Sequence, residues 1–388
     1  MRRAAWVLAA CLGASQAWAA DPVDTALPGQ RPPPGSDEDE LWYAMERAER
    51  ELQQHPQLVR DPALNAYVRG VACRVAGDHC PDVRVYIVEQ PWFNASMAPN
   101  GMMVVWTGAL LRFQDEAELA LVLGHEFAHF RERHSLRQWR KAKNTSAVVG
   151  SISLLAFGGG AGAAGYLANF LGVAGMSQFS RDAERESDTF GFAAATGQGY
   201  DPAAGVRLWQ RMKDEEDARR YGKPIPVFAS HPRTAERLAD VQAAAQAHGG
   251  GGGELGREAY RAAVLPFLAQ WLEDELSRRM YDTSVRVIGD LRALAEPDLE
   301  ATYTFFLAEA FRRRGKDGDA IRAQSLYEEA VALPSPPPAA FREHGMALRA
   351  QGDRRGATAA FHRYIALAPD AGDAAFVRQY LSEMESRP

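Results

Sequence analysis

Hydrophobic and polar positions change period several times along the 388-residue chain. Helical spacing runs over about 38–55 and 62–76, after which Val83 to Val88 (VRVYIV) alternates like a strand. Asn94 to Trp106 (NASMAPNGMMVVW) reads as two short strands joined at Pro99-Asn100-Gly101. A helix with its own start signal comes next: Asp115, with Glu118 three residues on, forms a capping box ahead of an apolar run. From Leu119 to Leu123 every residue is apolar, which predicts burial on nearly all sides. Two histidines and a glutamate follow in that same helix, in LGHEFAHF.

Between Asn144 and Ser180 there is no charged residue. A spanning helix needs about 20 continuous apolar residues, and Gly158-Gly159-Gly160 interrupts this stretch. It reads as a glycine-hinged helical pair covering a site, and peripheral membrane contact through residues 146–176 stays open. His248 to Gly256 (HGGGGGELG) marks a linker, because five glycines in a row form no stable element. Beyond it, two helical stretches share a glycine turn and a closing proline. Gly315 and Gly352 are 37 apart, Pro334 and Pro369 are 35 apart, and the spacing suggests tetratricopeptide-like repeats with residues 257–300 as a degenerate repeat or cap.

Composition adds a compartment. Arg2 and Arg3, an apolar stretch and Ala17-Trp18-Ala19 fit a cleaved secretory leader over residues 1–20, followed by a flexible proline-rich arm over 21–36. A rival reading takes Leu8-Ala9-Ala10-Cys11 as a lipid-attachment signal at Cys11. With Cys11 removed only Cys73 and Cys80 remain, close enough to bridge in an oxidising compartment, two free thiols or a metal pair being the alternatives. The net charge of −6 becomes −8 without Arg2 and Arg3, and there is no basic tract, which argues against nucleic-acid binding.

The chemistry lies in H-E-x-x-H. Positions i and i+4 share a helix face, so His125 and His129 can bind one ion while Glu126 stays beside the attacking water as general base. A buried, idle Glu126 would be costly in so apolar a helix. A catalytic zinc needs a third protein ligand, and Glu132 and Ser135 stand where a metzincin would place its glycine and third histidine. In SRDAERESD, Glu184 and Asp188 share a face, with Glu186 nearly opposite. Glu184 can then bind the metal while Asp188 accepts an N–H from a ligand histidine.

At these residues the chain resembles the gluzincin peptidases that include the CAAX prenyl proteases, nearest to the periplasmic β-barrel assembly-enhancing branch. The resemblance runs from about Asp37 to Ala243 through NASMAPNGMMVVWTGALL, DEAELALVLGHEFAHF, SRDAERESDTFG and SHPRTAERL. It implies an α+β, mainly helical chain: a gluzincin metallopeptidase domain over 37–247 with a small sheet beside the motif helix, a glycine linker over 248–256 and an α-helical repeat domain over 257–388. One Zn2+ would be held by His125, His129 and Glu184. His231, in Ser230-His231-Pro232, would approach the metal to restrain or assist the reaction, and Arg237 would serve as a structural or substrate-orienting cation. The family lays substrate along a sheet edge, for which the strand of Met102, Met103, Val104 and Val105 is the candidate. Met97 and Ser187 depart from the family pattern without touching the ligands.

The function expected is a periplasmic zinc endopeptidase for misfolded or misassembled outer-membrane proteins, its repeat domain docking substrate or assembly machinery. A chaperone or adaptor with a latent site is the alternative.

Overall fold

A computed structural model describes residues 25–143, 179–219, 231 and 235–386. The leader, Cys11 and the charge-free stretch 146–176 lie outside the described residues. Among the described residues no helix is long and apolar enough to cross a membrane.

Helices α1 (Asp37–Gln53) and α2 (Pro62–Ala76) lie where the helical spacing over about 38–55 and 62–76 predicts. Ser36 accepts the Asp39 N–H, and Asp61 accepts the Leu64 N–H just ahead of Pro62. A disulfide joins Cys73 to Cys80 across the turn that ends α2. The strands β1 (Arg84–Val88), β2 (Ala95–Met97) and β3 (Met102–Trp106) form one sheet in the order β1-β3-β2. β1 pairs with β3 in parallel, Arg84 opposite Met102, while β2 and β3 form the expected antiparallel hairpin.

This order corrects the expectation that Met102, Met103, Val104 and Val105 offer an edge. β3 is the central strand, and all five of its residues are buried. A segment at 57–59 bonds across the outer side of β1 through Val59 N–H to Ile87 O and Glu89 N–H to Gln57 O. Among the described residues the remaining free edge is β2. Asn94 O accepts from Trp106 and Ala98 N–H donates to Met102 O, so by antiparallel alternation the N–H and C=O groups of Ala95 and Met97 face outward.

Helix α3 (Thr107–Arg112) leads into α4 (Glu116–Arg131), which carries the histidine motif. Asp115 caps α4 by accepting the Glu118 N–H at 2.9 Å. The return bond falls one residue earlier than a capping box requires, since the Glu118 carboxylate accepts from the Gln114 N–H and pairs with Arg211. The arm is also less free than its prolines suggest. Ala26 N–H donates to Arg131 O at the end of α4, and Gly29 N–H donates to the Asp82 carboxylate.

Among the described residues, the remaining helices around the site are α5 (His134–Lys143), α6 (Arg181–Gly197), α7 (Ala204–Ala218) and α8 (Ala235–Ala247). Eight more follow: α9 (Arg257–Val264), α10 (Leu268–Ser277), α11 (Tyr281–Ala293), α12 (Pro297–Arg314), α13 (Asp319–Ala332), α14 (Pro338–Ala350), α15 (Arg354–Leu367) and α16 (Ala374–Glu385). From α11 onward each helix packs on its chain neighbour, and Gly315 ends α12 in the left-handed conformation a glycine adopts without strain.

The glycine run does not act as a free tether. Asp201 N–H donates to Glu254 O, Glu254 N–H to Gly199 O, and Ala117 N–H to Leu255 O. A side chain at Gly256 would strike Glu116. One apolar core runs from Val68 and Leu123 through Tyr260, Trp271 and Leu272 to Phe306.

Candidate functional site

Two glycines set the distance between α4 and α6. A Cβ on Gly191 would lie 2.6 Å from the backbone nitrogen of His125, and one on Gly124 would lie 3.1 Å from the Cα of Gly191. With no side chain at either place, the helices come close enough to set His125 and His129 against Glu184 and Asp188.

The inner nitrogens converge. His125 Nε2 and His129 Nε2 are 3.1 Å apart, and the two Glu184 oxygens lie 3.7 Å from one or other of them. His231 joins them, its Nδ1 2.9 Å from Glu184 Oε1 and 3.3 Å from His125 Nε2, its Nε2 3.6 Å from Glu126 Oε1. Sequence alone would leave His231 an exposed histidine, yet it is buried here. One donor atom from each of His125, His129, Glu184 and His231 lies within 4.8 Å of the others.

The outer nitrogens are occupied by other partners. His125 Nδ1 is 3.0 Å from Asp188 Oδ1, and His129 Nδ1 is 2.9 Å from His134 Nδ1. Protons held on those outer atoms leave bare lone pairs on both Nε2 atoms, facing each other in a buried place. A cation between them turns that repulsion into coordination, so this donor set fits a metal ion with imidazole and carboxylate ligands.

Arg237, on α8, is paired with carboxylates rather than aimed at the cleft. Its Nε and one terminal nitrogen hold Asp188 at 2.7 and 2.8 Å, the other terminal nitrogen is 2.7 Å from Glu184, and the guanidinium lies over the Trp209 ring.

Burial and charge set the proton affinities of these side chains. Burial, then the neighbouring His125 and His231, drives His129 well below the ordinary histidine value. Burial lifts Glu126 above the usual carboxylate range against the pull of His231 and His125. Glu184 is also penalised by burial, but His231, His125 and Arg237 outweigh it and hold the carboxyl low. Asp188 is lowered in the same way, burial being overcome by His125 and Arg237. For His231, burial is outweighed by Glu126 and Glu184, so its affinity rises. His231 and Arg237 on one side and the carboxylates on the other stabilise each other's charge, and Glu126 is raised where Glu184 and Asp188 are lowered.

Beside Glu126 an apolar cleft is lined by Phe93 and Ala95 from the β2 side and by Leu121, Phe192, Leu208 and Trp209. Residues 58–245 match peptidase family M48. The chain carries an M48 peptidase domain. M48 relatives include the β-barrel assembly-enhancing proteases of Yersinia pestis and Escherichia coli. Each is 31% identical over 204 residues, covering 50% of this chain and 41% of the relative. The mitochondrial metalloendopeptidase OMA1 of Schizosaccharomyces pombe is 30% identical over 163 residues, 41% of this chain and 45% of its own. The aligned stretch therefore spans less than half of these relatives. The matched region is mainly helical with a small sheet beside the motif helix.

Sequence reasoning missed three participants. His134 backs His129, Phe179 stacks on the His129 ring with centroids 4.0 Å apart, and Gly191 sets the helix spacing. The sequence signal for Gly191 is its place seven residues after Glu184 on the face that meets α4.

Proposed function

We propose that this protein is a zinc endopeptidase exported to the periplasm, acting on misfolded or misassembled outer-membrane proteins. The reading rests above all on the convergence of His125, His129 and Glu184 beside Glu126, at a cleft whose wall continues into the free edge of β2. His125, His129 and Glu184 would hold the zinc, and Asp188 would orient His125. Bound zinc supplies Lewis acidity, acidifying a water and polarising the scissile carbonyl. Glu126, made basic by burial, takes the proton of the attacking water and delivers it to the leaving amine. An unfolded chain would add to β2 through the outward backbone groups of Ala95 and Met97, which accounts for broad sequence tolerance.

The assignment to outer-membrane proteins is supported by the names of the bacterial relatives, which are β-barrel assembly-enhancing proteases. The leader at 1–20 and the Cys73–Cys80 disulfide support export. The peptidase unit is taken as 37–247, with the glycine stretch 248–256 and the tetratricopeptide-like helices from 257 docking substrates or assembly machinery. The second reading, a chaperone or adaptor with a latent site, is favoured by the closeness of His231 to Glu126 and Glu184.

Glu126→Gln separates the two. The variant is expected to keep its zinc and to lose hydrolysis of an unfolded outer-membrane protein, with metal content and initial rates measured together. Full biological activity in that variant would identify the adaptor.

A further inference from the structure

A ligand histidine is held in place through its second ring nitrogen, and the two ligand histidines here are held differently. His125 has a carboxylate, Asp188, at its outer nitrogen. Among the described residues no carboxylate stands in that position behind His129. Its Nδ1 faces His134 Nδ1 at 2.9 Å, and His134 Nε2 in turn lies 3.0 Å from Glu186 Oε2. Arg137 steadies the same Glu186 oxygen from 3.2 Å.

We propose that His134, oriented by Glu186, is the positioning residue for His129, so that metal affinity depends on an imidazole-to-imidazole hydrogen bond. The proposal rests on the metal-site reading above. The proton arrangement follows from the geometry. His129 turns Nε2 inward, 3.1 Å from His125 Nε2, so its proton sits on Nδ1 and is donated outward. His134 Nδ1 must therefore accept, which places the His134 proton on Nε2, where Glu186 accepts it. One carboxylate thus fixes two tautomers in series.

The Ser187 hydroxyl lies 3.4 Å from the same His134 Nδ1. Glu186 thus acts from a face of α6 that sequence periodicity separates from the ligand Glu184. His134 begins α5 and its side chain is 1% exposed, while Glu186 is 43% exposed, so the relay runs from the surface to the buried ligand.

The test measures zinc affinity of the full chain by competition with a chelator, together with the visible spectrum of the cobalt-loaded protein. His134→Phe keeps a ring but removes the acceptor, and is expected to lose about 10- to 100-fold in zinc affinity and to alter the cobalt bands. His134→Asn, whose amide oxygen replaces Nδ1 as acceptor, is expected to recover most of that loss. Glu186→Ala, at an accessible position, is expected to lose several-fold and remains informative if His134→Phe does not fold. Wild-type affinity in Glu186→Ala and His134→Phe, or a His134→Asn variant as weak as His134→Phe, would overturn the relay while leaving the metal site intact. A wild-type protein that binds no zinc would overturn the metal-site reading, and this proposal with it.

Discussion

His231 reaches two carboxylates of the site: its Nδ1 lies 2.9 Å from Glu184 and its Nε2 3.6 Å from Glu126. An attacking water needs the space beside Glu126, and a catalytic zinc keeps one coordination position for it. A histidine lodged there at rest competes with that water. His231→Ala is therefore expected to hydrolyse an unfolded substrate several-fold faster and to cleave itself, at zinc occupancy equal to wild type. Slower initial rates would instead assign His231 to stabilising the developing oxyanion. The motif histidines were legible because i, i+4 spacing is a direct consequence of helical pitch. His134 was not, since its role arises where α5 meets α6, and periodicity correctly placed Glu186 off the Glu184 face without revealing what it meets there.

At the scale of elements, the ligand set is a product of how closely α4 and α6 cross. A Cβ on Gly191 would sit 2.6 Å from the His125 backbone nitrogen, a separation that real Cβ atoms do not adopt, so the helices would have to move apart. Gly191→Ala is expected to cost about 1 to 3 kcal/mol of stability and to weaken zinc binding, because Glu184 moves with α6 while both histidines stay on α4. Thermal melts and chelator competition check both parts, and an unchanged zinc affinity would show that the crossing does not set the ligands. The start of α4 was readable from Asp115 because capping is local. Strand order was not, because the parallel pairing of β1 with β3 crosses over a connection that local alternation does not specify. The run MMVVW carries a hint, since a strand apolar at every position is buried on both faces and so belongs at a sheet's centre.

At the scale of the whole molecule, composition suggested two units joined by a tether, but the packing ties them together. Arg112 on α3 holds Glu215 on α7 and Glu275 on α10, and Arg278 completes a buried group of two positive and two negative side chains. Arg278 also lies 4.1 Å from the centre of the Trp92 ring, next to Phe93 in the cleft wall and just ahead of β2. Tyr260, Leu268, Trp271 and Leu272 share one core with Leu110, Leu111 and Phe113. Fully burying one large apolar side chain is worth roughly 1.5 to 3 kcal/mol, and a domain's net stability is only about 5 to 15 kcal/mol. Losing four such partners removes a sum comparable to the whole. A chain ending at residue 247 is therefore expected to lack a cooperative melting transition and to bind zinc weakly, whereas the full chain unfolds in one step. Circular dichroism melts of the two proteins decide it: a sharp transition in the shortened chain, with zinc affinity intact, would show that the helical tail is a separate module and that the cleft wall stands without Arg278.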